Sequence, residues 1–252
     1  PDRQLLMLSA TLGQETEALS KELAGEEHVL IRVLPSVPPI PQAVRLFRGG
    51  HDAFSERKAA LCSWIRTELR ADESLLVLCS AGDPARTTSR HRSRELSRDP
   101  EIVAAVAEVV EGCGAEEAIA TMDGAATAER RAEYWRFVSG KARMLFASFA
   151  LGSRGLDYTD STAGGEAPPP LALAVLLFDF PPTIRDYAHC IGRTQRPGQR
   201  SGRAVAFMPE MRFWIARELA DVLRQCGQPV PEELEALIRE DQAFLDDSRQ
   251  AL

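Results

Sequence analysis

Lysine is scarce. Lys21, Lys58 and Lys141 are the whole complement, and the rest of the 30 basic residues are arginine. The three are followed by Glu22, Ala59 and Ala142, so no Gly-x-x-x-x-Gly-Lys-Ser/Thr loop is present to cradle phosphates. Cysteine is thin as well. Cys62, Cys79, Cys113, Cys190 and Cys226 are odd in number, widely spaced and form no Cys-x-x-Cys pair. That excludes a disulfide framework or zinc module and leads us to expect a reducing, intracellular compartment, nucleus and cytoplasm being indistinguishable. His28, His51, His91 and His189 have no metal-ligand spacing, so no metal site is expected. No apolar run approaches the ~20 residues of a membrane helix, and no membrane partner is expected. The opening Pro1-Asp2-Arg3-Gln4 lacks the basic and apolar stretches of a secretory signal. A first residue other than Met is expected of a piece cut from a longer protein.

What remains is a globular composition. The 252 residues are 44% hydrophobic and 27% charged, with a net charge of −7. An acidic balance disfavours a wholly basic coat but leaves room for a local basic groove. The arginine bias suits bidentate phosphate contacts and fits genomic base composition equally well. Short apolar runs alternate with amphipathic stretches. Strands are expected at Leu5–Leu8, Val29–Val33, Ala43–Phe47, Leu75–Cys79, Ala118–Thr121, Arg143–Ser148, Ala172–Phe178 and Arg203–Phe207. Helices are expected at Gln14–Leu23, Ala53–Leu69, Pro100–Val110, Thr127–Phe137, Thr183–His189, Met211–Cys226 and Glu232–Leu245. The alternation predicts βαβ units: an α/β fold with a central, mostly parallel sheet flanked by helices. Gly82–Pro100, with Arg86, Arg90, Arg92, Arg94 and Arg98, is expected to be a mobile insertion, because like charges without apolar anchors repel. Thr159–Pro170 reads as a second insertion, and residues 246–252 as a polar tail.

The sharpest segment is His189-Cys190-Ile191-Gly192-Arg193-Thr194-Gln195-Arg196. Arg193 and Arg196 stand three apart, a spacing that lets two guanidiniums converge on one multiply charged anion. The segment resembles motif VI of the DEAD-box RNA helicases of superfamily 2, His-Arg-Ile-Gly-Arg-Thr-Gly-Arg. Ser153-Arg154-Gly155-Leu156-Asp157 resembles their motif V, and Ser9-Ala10-Thr11 their motif III. Leu75–Ser80 stands where the motif IV strand belongs, and Thr127-Ala128-Glu129-Arg130 resembles the Gln-x-x-Arg helix. The motifs come in the family's order.

The resemblance implies a RecA-like three-layer domain. Residues 1–24 would be the end of a first RecA-like domain, with the motif III strand and a following helix; 25–245 would be the second. It implies that Arg193 and Arg196 act as arginine fingers on ATP. Asp157, Arg154, Gly155 and His189 would serve nucleotide binding, and Gly124, Arg130 and Ser148 would meet RNA. The implied partners are RNA and the first RecA-like domain of the same protein, the chain itself being a monomer. ATP and Mg²⁺ are the cofactors implied for the full-length enzyme. With no P-loop and no Asp-Glu-Ala-Asp sequence, this stretch alone is expected to be inactive and to hold neither. Both motif VI arginines are expected near the carboxyl end of the sheet, on the side of Asp157.

Departures define a second reading. Cys190 replaces a motif VI arginine, Gln195 a glycine, Phe149 an aspartate and Thr127 a glutamine. On that reading the chain is a divergent RNA- or protein-binding module without ATPase activity.

Overall fold

The computed structural model describes residues 5–8, 14–25, 29, 31, 40–48, 53–80, 92–112, 114–123, 126–153, 172–194 and 202–250. Its described strands form one sheet. They are β1 (Gln42–Phe47), β2 (Glu73–Cys79), β3 (Ile119–Met122), β4 (Met144–Ser148), β5 (Ala172–Leu177) and β6 (Arg203–Pro209). Their order is β1-β6-β5-β2-β4-β3, and every pairing is parallel. The described helices are α1 (Gln14–Ala24), α2 (Ala53–Thr67), α3 (Arg92–Arg98), α4 (Pro100–Val109), α5 (Thr127–Val138), α6 (Phe149–Gly152), α7 (Ile184–Ile191), α8 (Ala216–Gln225) and α9 (Glu232–Gln250). A 3-10 turn, Glu210–Ile215, precedes α8.

The central strands are mostly apolar, because both faces of the sheet are covered. Alternation along β2 divides the core. Leu75, Val77 and Cys79 pack with Trp64 of α2, Leu96 of α3 and Val106 of α4. Leu76 and Leu78 face the other way and pack with Phe137 of α5, Tyr187 of α7 and Leu219 of α8. The result is a three-layer α/β/α domain. At the amino edge, Glu73 of β2 is buried but fully answered. Arg203 of β6 donates to it from Nε and Nη2 at 2.9 and 2.8 Å, and the Arg70 amide at 3.0 Å. The Arg203 guanidinium lies 4.8 Å from the Trp64 ring centroid. A buried carboxylate is tolerated only with such partners.

Four elements differ from the sequence expectation. Leu5–Leu8 is not a strand, and Leu6 and Leu8 are exposed. Apolar character alone does not make a strand, and no described neighbour offers this segment a ladder. Val29 and Ile31 are likewise exposed and outside any strand, while the rest of Val29–Val33 lies outside the described residues. Residues 92–98 of the supposed mobile insertion form α3, because Ser93, Leu96 and Ser97 are buried and Arg92 and Arg94 have acidic partners. Arg86 and Arg90 lie outside the described residues. Met211–Cys226 is divided between the 3-10 turn and α8, an arrangement that leaves Trp214 exposed and Ile215 and Ala216 buried.

Candidate functional site: the carboxyl edge and the far end of helix α7

Parallel strands bring the residues that follow them to one edge. Along the order β5-β2-β4-β3 this edge carries Asp179, Ser80, Ser148 and Asp123 in a row. Ser148 closes β4, opposite Cys79 of β2, and starts α6. Arg130 sits in the first turns of α5, half-buried, its Nη2 donating to Thr127 Oγ1 at 3.1 Å. α3 lies over the same edge. Arg94 approaches Asp123 at 3.9 Å, and the Ser97 and Thr121 hydroxyls are 2.9 Å apart. A groove of about 720 Å³ opens beside β3, with Arg94, Asp123, Glu133 and Arg136 in its wall. Glu133 also accepts from the Thr121 amide at 3.0 Å, satisfying a backbone donor of the edge strand.

Asp179 is the densest junction of the edge. Its Oδ2 accepts from the Ser80 amide at 2.9 Å and from Ser80 Oγ at 3.0 Å. Its Oδ1 accepts from Arg57 Nη2 at 3.2 Å. Arg92 Nη1 stands 3.3 Å from both oxygens. The two arginines interleave with aromatics. Arg57 lies 5.2 Å from the Phe178 ring centroid and Arg92 lies 5.1 Å from that of Phe54, and the two rings meet edge to face. Burial lowers the pKa of Arg57, Asp179 opposes that shift, and the nearby Arg92 charge adds to it. Burial, with Asp179 nearby, pushes the Cys79 thiol well up. Sequence reasoning missed this junction. The available signal was a single acid, Asp179, directly after the apolar Ala172–Phe178 run.

α7 connects this edge to the opposite one. Thr183 caps its start, accepting from the Asp186 amide at 3.1 Å and donating to Asp186 Oδ2 at 2.8 Å. Tyr187, Cys190 and Ile191 face the core. The Tyr187 hydroxyl donates to Gln42 Oε1 at 2.7 Å, and its ring stacks on Phe180. At the far end Arg193 is half-buried, and its Nε donates to the His189 carbonyl at 3.2 Å. Thr194 follows, buried, its hydroxyl bonded to the Ile191 carbonyl at 2.9 Å. A Cβ on Gly202 would stand 2.1 Å from the Leu173 carbonyl and 2.6 Å from that of Thr194. Leu173 is the second residue of β5, so Thr194 is at the amino edge. Arg193 is expected from the sequence near the carboxyl end of the sheet, and the structure instead places it toward the amino edge. An eight-residue helix spans about 12 Å and has carried it back across the sheet.

The structure thus separates the candidates. Ser148 and Arg130 stand at the carboxyl edge, and His189 and Arg193 toward the other end of α7. Ser9, Ala10, Thr11, Gly124, Arg154, Gly155, Asp157 and Arg196 lie outside the described residues. Two departures from the motifs acquire a packing role. Cys190 is fully buried in the apolar cluster, and Phe149 packs against the same cluster. Among the described residues no three His, Cys, Asp or Glu side chains converge as a metal site. Among them, too, no helix is long and apolar enough to cross a membrane.

An all-parallel six-stranded sheet in this order, layered by helices, matches the fold of RecA-like helicase domains. The chain superposes on the helicase Prp28 from Chaetomium thermophilum bound to ADP with a TM-score of 0.55, at 20% identity, over 90% of this chain and 46% of that one. It superposes on Mss116p bound to single-stranded RNA and AMP-PNP with a TM-score of 0.58, at 18% identity, over 84% of this chain and 37% of the other. No protein-family model matches it. Its curated relatives are DEAD-box RNA helicases. It is 27% identical over 249 residues to DEAD-box ATP-dependent RNA helicase 30 of Arabidopsis thaliana, which covers 95% of this chain and 34% of that protein. It is 25% identical over 252 residues to ATP-dependent RNA helicase DBP2 of Candida albicans, covering 95% of this chain and 37% of the relative. The chain spans about a third of the length of these relatives.

Proposed function

We propose that the chain is the carboxyl-terminal RecA-like domain of an ATP-dependent RNA helicase, working against a first RecA-like domain of the same protein. The observation that carries this reading is the extent of the likeness: 95% of the chain aligns with helicases named as ATP-dependent, and the fold matches that of the RNA-helicase Prp28. In this reading the carboxyl edge, with Ser148 and Arg130, receives the RNA backbone. The far end of α7 presents Arg193, with Arg196 beyond it, to the γ-phosphate held by the first domain.

A bound ATP with Mg²⁺ supplies the hydrolysable phosphoanhydride and neutralises its charge. The acidic pairs described here serve arginines and backbone amides, and the metal is assigned to the first domain. This chain's own contribution is positional. α7 fixes Arg193 by packing Tyr187, Cys190 and Ile191 into the core and by the bond from Arg193 Nε to the His189 carbonyl. The outer nitrogens of the guanidinium then meet charge that develops as the phosphoryl group leaves. Asp157, Arg154 and Gly155 are assigned to the nucleotide by resemblance to motif V.

The RNA half of the reading is tested with the 252-residue chain itself. Arg130→Ala is expected to weaken binding of a short single-stranded RNA several-fold, measured by fluorescence anisotropy at low salt. Unchanged affinity would remove Arg130 from the interface, and no RNA binding by the parent chain would count against the reading itself.

A further inference from the structure

We propose that Arg92 is an exchangeable phosphate contact: an RNA backbone phosphate arriving at the carboxyl edge takes the Arg92 guanidinium from Asp179, while Arg57 stays on that carboxylate. The proposal rests on the RNA-binding reading above and assigns it a residue outside the helicase motifs.

The asymmetry between the two arginines carries the argument. The Arg57 side chain is 7% exposed and that of Arg92 is 23% exposed, and both meet Asp179. Arg57 is enclosed, and its Nε has no hydrogen-bond partner. It depends on Asp179 to compensate a charge held away from water, and removing that partner would leave a buried ion uncompensated. Arg92 depends on Asp179 far less. One face of its guanidinium lies on Phe54 and part of the side chain reaches solvent.

Asp179 does not need Arg92 either. Without it, Oδ2 keeps two hydrogen bonds from Ser80 and Oδ1 keeps the one from Arg57. Arg92 Nη1 also stands 3.5 Å from Ser80 Oγ, but that hydroxyl is half-exposed and open to water, so departure carries little desolvation cost. Staying, by contrast, places two like charges on one carboxylate. The same repulsion contributes to the lowered pKa of Arg57. A phosphate offers Arg92 a planar, bidentate acceptor and relieves that repulsion. The location is suitable. Arg92 opens α3, which lies over the edge where Ser80 and Ser148 end adjacent strands. Arg94, two residues on, has an equally loose partner in Asp123, 3.9 Å away with the Arg94 side chain 46% exposed.

The test measures affinity and salt dependence of a short oligouridylate on the 252-residue chain and three variants. Arg92→Gln is expected to weaken binding several-fold and to reduce the slope of log K against log salt by about 0.7, one phosphate on a single strand. Its thermal midpoint should match the parent, since no buried group loses a needed partner. Arg66→Gln makes the same charge change at the opposite end of α2 and should leave affinity and slope alone. Asp179→Asn should tighten RNA binding, because Arg92 is released from its competitor. Should Asp179→Asn fail to fold, the Arg92→Gln and Arg66→Gln pair decides. Parent-like affinity and slope for Arg92→Gln, or a loss no larger than that of Arg66→Gln, would overturn the proposal while leaving the RNA-binding reading intact. A parent chain that binds no RNA would overturn both.

Discussion

A methyl group on Gly202 would be driven into two carbonyl oxygens, those of Leu173 and Thr194. Neither is the end of a flexible side chain, so the backbone itself must shift. The glycine lets the chain entering β6 pass directly under the end of α7, which is what fixes Thr194 and, one residue earlier, Arg193. Gly202→Ala is therefore expected to destabilise the fold by about 1–3 kcal/mol, read from the urea midpoint. A variant as stable as the parent would mean that the contact yields easily. Individual residues were unevenly legible. His189 and Arg193 stood out through their motif, but their distance from the carboxyl edge did not. A motif gives the order of residues, whereas the length and direction of α7 decide which edge they reach. Asp179 was hidden because its partners, Arg57, Ser80 and Arg92, are distant in sequence and meet only through the strand order.

At the scale of elements, α7 shows how a departure from a motif is absorbed. Its inner stripe is Tyr187, Cys190 and Ile191, all fully buried. Cys190 stands where the helicase motif has arginine, and here it is core. Cys190→Arg, which restores the motif, is expected to lower the thermal midpoint sharply, because an arginine at this position enters an apolar cluster with no described carboxylate to receive it. Parent-like melting by circular dichroism would show that the helix can turn the new side chain outward. The strands β2, β4 and β5 were legible as continuous apolar runs, since burial on both faces removes the need for polar alternation. The same rule misreads Leu5–Leu8, because a run of apolar residues cannot announce whether it has a partner. α3 was missed for the opposite reason. Its six polar or charged residues outweighed Leu96 in composition, yet Leu96 is buried and Arg92 and Arg94 reach acids on other elements.

Across the whole molecule, the core holds groups whose charged forms it disfavours. Burial raises the pKa of the Cys62, Cys79 and Cys226 thiols and of the Tyr187 phenol. A thiol with a raised folded pKa binds its proton more tightly when folded, so its contribution is complete below the unfolded value of 9.0 and is lost as pH rises above it. The thermal midpoint is thus expected to be flat from pH 7 to 8 and to fall progressively above about pH 9. A midpoint independent of pH up to 10.5 would contradict the buried placement of these groups.

The central claim is that this domain completes an ATP-hydrolysing site with Arg193. It is tested most directly by RNA-stimulated ATP turnover of the protein that carries this chain together with its ATP-binding domain, comparing Arg193→Ala with the parent. The account predicts nearly unchanged ATP binding and turnover reduced by about 10³-fold or more, the usual worth of an arginine finger. Parent-like turnover would contradict it.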